Sequence, residues 1–164
     1  MHKVLAVGVV VAAWLSTAQA QTLELDDIGV SRDVPCNGLD VIITGNGNQF
    51  RLAGDCGQVE VGGSEQQVSF GEATSLVVTG ANNRVEAERV GGLDVSGSEH
   101  RIDSQVQGSG QPAQVALYGE GHVLDLDLSG PVQIEVNGIG QQLTWRGDEP
   151  QIETSGVEHH IERD

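Results

Sequence analysis

The sequence predicts an all-β protein, a single-domain parallel β-solenoid of about seven coils with two short strands in each coil. The main observation is a phrase that recurs seven times between Val41 and Arg163. Two apolar residues are separated by one residue, a glycine follows two positions after the second, and another apolar residue comes five positions after the glycine. Successive glycines lie 17 to 22 residues apart, at Gly45, Gly63, Gly80, Gly97, Gly119, Gly138 and Gly156. Stacked repeats of about this length bury a core only collectively.

Two strands per repeat follow from the apolar alternation. Residues before each glycine alternate with period two, as Val41 and Ile43 do, and this alternation is typical of a strand with one buried face. After the glycine turn a second apolar pair begins, as in Phe50 and Leu52. Stacking the coils would pair each strand in parallel with its equivalents above and below. The alternative is an antiparallel hairpin meander, because Gly-Asn-Gly-Asn at 45–48 is also a hairpin signal.

Each turn is predicted to carry a structural ladder. Three residues after each glycine stands an Asn, Gln or His. These side chains tolerate or support turn conformations and can hydrogen-bond to turn backbone or to one another in a stack. The predicted ladder consists of Asn48, Gln66, Asn83, His100, His122, Gln141 and His159. The longest connection, 105–114, accounts for the 22-residue glycine spacing and is expected to bulge from the rod.

The N-terminal part of the chain has a different composition. Lys3, an apolar run over 4–15 and Ala18-Gln19-Ala20 predict a secretory signal peptide at 1–20. Residues 21–40 are expected to form an N-terminal cap segment, and 41–164 the solenoid domain. Cys36 and Cys56 are separated by 20 residues, about one repeat, so a disulfide is predicted between adjacent coils of an exported chain.

Charge excludes one class of partner. The chain after residue 20 has seven arginines and 24 acidic residues, a net charge of −17. Such a surface repels phosphate backbones, so no nucleic-acid partner is expected. No other apolar stretch is long enough to span a bilayer, so the chain is not expected to be membrane-embedded.

The recurring phrase, best developed from Leu76 to Val85 behind a signal peptide, resembles the bacterial exported family called domain of unknown function 3060. The resemblance extends from about Val41 to Arg163. It implies a repetitive, solenoid-like exported protein. It implies no activity and no catalytic residues.

Carboxylates are the candidates for a bound ion. Glu86, Asp103 and Asp125 occupy equivalent outward positions of the second strand in consecutive coils, about 4.8 Å apart. Like charges at this spacing repel one another unless water or a cation intervenes, and oxygen ligands suit Ca²⁺. These three residues are the predicted metal site. The alternative is a solvated acidic face without any cofactor.

These observations predict an exported, periplasmic or extracellular, non-catalytic structural or binding module of the bacterial cell envelope. Its partner would be an envelope protein or glycan. One alternative is a calcium-dependent envelope glycan-binding protein. Another is a polysaccharide-active enzyme that uses paired carboxylates, although such sites generally offer aromatic platforms and only Tyr118 is expected outside the core.

Overall fold

The computed structural model describes residues 21–164, and the predicted signal peptide at 1–20 lies outside them. Within this range the chain forms 15 strands and no helix, which confirms the all-β prediction. No helix among these residues is long and apolar enough to cross a membrane. The strands are β1 (Thr22–Ile28), β2 (Ser31–Pro35), β3 (Asp40–Asn46), β4 (Gln49–Ala53), β5 (Cys56–Val61), β6 (Gln67–Val78), β7 (Arg84–Val90), β8 (Leu93–Ser98), β9 (Arg101–Gln107), β10 (Ala113–Glu120), β11 (Val123–Ser129), β12 (Val132–Ile139), β13 (Gln142–Gly147), β14 (Gln151–Val157) and β15 (His160–Arg163).

All pairings between these strands are parallel, and the strands stack in two columns. The first column contains β1, β3, β5, the second half of β6, β8, β10, β12 and β14. The second contains β2, β4, the first half of β6, β7, β9, β11, β13 and β15. Val61 pairs with Val78, and Val78 with Val95, so the predicted register is confirmed and the hairpin meander is wrong.

The solenoid has about eight coils rather than seven. The additional coil comes from β1 and β2, within the segment predicted as a cap, and these strands pair in register with β3 and β4. Here Asp27 stands opposite Gly45, so the glycine that marks the other coils is missing. We number the coils 1 to 8 from this end.

Close stacking of the turns explains the glycines. Gly80 has φ +92°, and a Cβ added to it would collide with the carbonyl oxygen of Gly63 in the preceding coil. The turn glycines from Gly45 to Gly156 form a column, one in each coil after the first. An added Cβ on each of them would collide in the same way with the carbonyl oxygen of the equivalent residue in the preceding coil. Asp27 is the first residue of this column within residues 21–164, and no described coil precedes it, so its side chain meets no carbonyl oxygen of this kind.

The core is a thin apolar layer between the two columns of strands. Ile43, Leu76 and Leu117 from the first column are fully buried, as is Leu126 from the second. The predicted bulge at 105–114 is shorter than expected, because β9 continues to Gln107 and β10 begins at Ala113. The exposed residues 109–112 remain outside, with a local antiparallel bridge between Ser109 and Gln111.

An arginine covers the core at each end of the rod. Arg32 pairs with Phe50 in the next coil, and its guanidinium lies 5.6 Å from the centre of that ring. Arg163 pairs with Trp145, and its guanidinium lies 4.9 Å from the centre of the indole. In the neighbouring coil the equivalent residue is apolar, Phe50 for Arg32 and Trp145 for Arg163. A charged group thus replaces an apolar residue in the first and last described coils.

Candidate functional site

The turn ladder is an uninterrupted series of hydrogen bonds between coils. Each ladder side chain accepts a hydrogen bond from the backbone N–H of the ladder position in the preceding coil. For example, the N–H of Gln66 donates to Asn83 Oδ1 at 2.9 Å, and the N–H of Asn83 donates to His100 Nδ1 at 3.2 Å. The other acceptors in the series are Asn48, Gln66, His122, Gln141 and His159, and the first donor is Val30.

The same side chains also hold the carbonyl groups of their own turns. In each coil the ladder side chain contacts the carbonyl oxygen four residues earlier, as His100 Nε2 does with Ser96 at 2.9 Å and His122 Nε2 with Tyr118 at 2.8 Å. A ladder residue therefore needs one acceptor and one donor on a neutral group. Asn, Gln and neutral histidine all meet this requirement, which explains why the three types interchange and confirms the predicted structural ladder.

Two of the histidines are stacked face to face. The rings of His100 and His122 have centroids 5.0 Å apart with an interplanar angle of 7°, and both side chains are fully buried. Burial lowers the pKa of both below the usual value of 6.5. Because Nδ1 accepts and Nε2 faces a carbonyl oxygen, each ring is in the neutral tautomer that carries its proton on Nε2. Both nitrogens of each ring are thus engaged within the fold.

The predicted disulfide is confirmed. Cys36 and Cys56 are bonded with their Cα atoms 5.0 Å apart. Cys36 follows the last residue of β2, whereas Cys56 opens β5, so the bond ties the first coils together. It leaves no free cysteine among residues 21–164.

The acidic column is in register, but its three carboxylates are not gathered around one point. Glu86 pairs with Asp103, and Asp103 with Asp125, as predicted. However, Arg84 contacts Glu86 at 2.8 Å and Arg146 contacts Asp125 at 3.0 Å. Asp125 is the main cause of a raised pKa of the Arg146 guanidinium. Over 21–164 no group of three or more His, Cys, Asp or Glu residues is arranged to hold a metal ion. The carboxylates at the two ends of the predicted calcium site thus have arginine partners instead of the expected ligand geometry.

A groove that the sequence did not predict lies on the outer face of the second column, over coils 1 to 4. Its volume is about 680 Å³. Two registers of outward residues run along it, with Gln67 between Gln49 and Arg84 in one and Ser69 between Arg51 and Glu86 in the other. The polar side chains that line it are Ser31, Arg32, Asp33, Gln49, Arg51, Glu65, Gln67, Ser69, Asn82, Arg84 and Glu86.

Charge in the groove differs from that of the whole chain. It has three arginines, Arg32, Arg51 and Arg84, and three carboxylates. These are three of only seven arginines after residue 20. Two of them have partners, since Arg32 contacts Asp27 at 2.9 Å and Arg84 contacts Glu86. The groove is therefore locally neutral on a strongly acidic rod. The signal available in the sequence is the presence of three of the seven arginines in coils 1, 2 and 4.

Comparison with known proteins gives a family match but no activity. The model of a family described as "Protein of unknown function (DUF3060)" matches residues 43–92, which confirms the resemblance over this stretch. The matched stretch begins in β3 and ends just after β7, so it includes most of the groove. No curated protein and no solved structure matches the chain.

Proposed function

We propose that the chain is an exported, non-catalytic module that binds a component of the bacterial cell envelope. The family whose model matches residues 43–92 is described as of unknown function, so the proposal is based on the geometry of the structure. The binding surface is the groove over coils 1 to 4. The observation that supports this proposal is a concave, polar, locally neutral surface of about 680 Å³ on a rod that is otherwise acidic.

Export is supported by two features. The N-terminal 20 residues have the basic, apolar and small-residue regions of a secretory signal. The disulfide between Cys36 and Cys56 suits an oxidising compartment, where such bonds persist.

Rigidity of the groove supports a binding role. Its floor consists of Phe50 and Val68, which are 1% and 3% exposed and belong to the core. Most of its outward side chains stand on β4, β6 and β7, whose backbones are paired on both sides. The turns beside it are held by Asn48, Gln66 and Asn83 of the ladder. A ligand therefore meets a surface that is already ordered, so binding costs little conformational entropy.

The proposal is tested by sedimentation of the purified protein with envelope fragments. Ser69 lies in the middle of the groove, and Thr144 occupies the same outward register three coils beyond Glu86, outside the groove. Both are half-buried. Ser69→Trp should block the groove, so we expect the parent and Thr144→Trp to sediment with the fragments and Ser69→Trp to stay in the supernatant.

Two results would contradict the proposal. If Ser69→Trp sedimented as the parent does, the groove would not be the binding surface. If the parent failed to sediment, a spacer role for the rod would be the better account. Melting curves of the three proteins provide the control for folding.

A further inference from the structure

We propose that the groove binds an acidic saccharide, a chain rich in hydroxyl groups with isolated carboxylates, and that Arg51 holds one carboxylate. This inference rests on the binding function proposed above and specifies the chemistry of its ligand. It comes from the contrast among the three arginines of the groove.

Arg51 is the arginine of the groove that has no partner within residues 21–164. Its side chain is exposed, and it makes neither an ion pair nor a side-chain hydrogen bond with any described residue, whereas Arg32 and Arg84 each contact a carboxylate. Asp33 and Ser69 are its neighbours in the same register, on the adjacent coils. A guanidinium offers paired N–H donors that match the two oxygens of a carboxylate. Arg51 therefore presents an unused anion-binding group inside a concave surface.

The rest of the lining suits hydroxyl groups. Side chains of Ser31, Gln49, Gln67, Ser69 and Asn82 line the groove and form no side-chain hydrogen bond with described residues. Amides and hydroxyls both donate and accept, as sugar hydroxyls do. Because they stand on successive coils about 4.8 Å apart, a chain lying along the rod would meet a new set of polar groups at each coil.

Other ligand classes fit less well. Asp33, Glu65 and Glu86 balance the three arginines, so the groove has no excess positive charge to hold a dense polyanion such as nucleic acid against the negative charge of the whole chain. The same carboxylates can accept hydrogen bonds from hydroxyls. A protein partner would normally insert apolar or aromatic anchors into apolar pockets, but Phe50 and Val68 are buried beneath the polar lining. A ligand with many hydroxyl groups and few charges needs neither an excess of positive charge nor apolar pockets, so it suits this lining better.

The test compares a partially methyl-esterified oligogalacturonate, in which the remaining free-acid carboxylates are isolated, with its fully methyl-esterified form by isothermal titration calorimetry in the presence of a chelator. We expect the acid to bind and the ester to bind at least tenfold more weakly. Arg51→Gln should reduce affinity for the acid to that for the ester, and Arg51→Lys should restore only part of it, because an ammonium lacks the paired donors. The control is Arg89→Gln, which makes the same charge change outside the groove, where Arg89 contacts Glu72 at 2.8 Å.

Each contrary outcome overturns this inference in a different way. Equal affinity for acid and ester would show that no carboxylate is recognised. An Arg51→Gln variant with unchanged affinity for the acid would place the carboxylate elsewhere. If neither saccharide bound, the ligand class would be wrong. In all three cases sedimentation of the parent and Ser69→Trp with envelope fragments would still decide the proposed function separately.

Discussion

Acidification should loosen the turn ladder at the two stacked histidines. A protonated imidazole carries hydrogens on both nitrogens, so Nδ1 of His100 could no longer accept from Asn83 N–H, nor Nδ1 of His122 from His100 N–H. Two buried backbone donors would then lose their acceptors, and two charges would face each other across 5.0 Å. Protonation is therefore unfavourable in the folded state, in agreement with the pKa lowered by burial in both residues.

The sign and size of the effect follow from proton linkage. Because the folded pKa lies below the unfolded value of 6.5, the stabilisation is fully present above pH 6.5 and is lost as the pH falls through the folded pKa. Each histidine can lose at most about 1.4 kcal/mol per pH unit in this window. Between pH 6.5 and 5, the two together can lose at most about 4 kcal/mol, or about 8 to 16 °C in melting temperature.

The matched variant is the double substitution His100→Asn and His122→Asn, because Asn83 already fills the same position of the ladder. Thermal melts of both proteins at pH 7 and pH 5 cancel the effects of the carboxylates, which the two proteins share. We expect the parent to lose several degrees more than the variant. Amide exchange by NMR, corrected for the pH dependence of the intrinsic exchange rate, should show lower protection of Asn83 and His100 at pH 5 than at pH 7, with the protection of Gln66 unchanged. Equal losses in melting temperature for parent and variant would refute this reasoning.

Three further predictions concern stability. Replacing Cys36 and Cys56 together by alanine should lower the free energy of unfolding by about 3 kcal/mol, through the loop that the bond closes. Urea denaturation measures this change, and an unaltered midpoint would contradict it. Gly80→Ala should cost about 3 kcal/mol or more, because φ is +92° and the new Cβ would collide with Gly63. A loss below 1 kcal/mol by the same measurement would show that the turns can move apart. Asp103→Asn should raise stability by a few tenths of a kcal/mol through reduced repulsion, with no response of the melting temperature to millimolar calcium in either protein. A calcium-dependent rise that Asp103→Asn abolished would instead support the cation site.

The sequence was sufficient for the fold because each coil repeats one local rule. Alternation of Val41 and Ile43 determines the buried face, and the glycine spacing determines the register between coils. The first coil was not predicted because its turn has Asp27, and a glycine is needed only where another coil lies beneath. Its apolar residues, Leu23 and Leu25, show the same alternation and pair with Val41 and Ile43.

The candidate site was less accessible from the sequence. Periodicity places Arg51, Ser69 and Glu86 in one outward register, and the structure confirms this. It does not say whether that register is flat or concave, because concavity depends on the bend and twist of successive strands. The ion pairs cannot be predicted from the repeat either. Arg84 contacts Glu86 and Arg146 contacts Asp125 through side-chain conformations that the repeat does not specify. The repeat therefore points to the acidic column as a candidate site and not to the arginines beside it.

The ladder differs in chemistry between the two halves of the rod. The groove lies over coils 1 to 4, where the acceptors of the ladder are amides that do not titrate, and where the disulfide adds a covalent link. His100 and His122, whose pKa values are lowered by burial, stand in coils 5 and 6. Acid would therefore weaken mainly the half of the rod that carries no groove. Beside the groove, only the turn of Asn83, whose N–H donates to His100, would lose a ladder hydrogen bond. The coils of the proposed binding surface would thus keep most of their ladder hydrogen bonds in acid while the distal coils loosen.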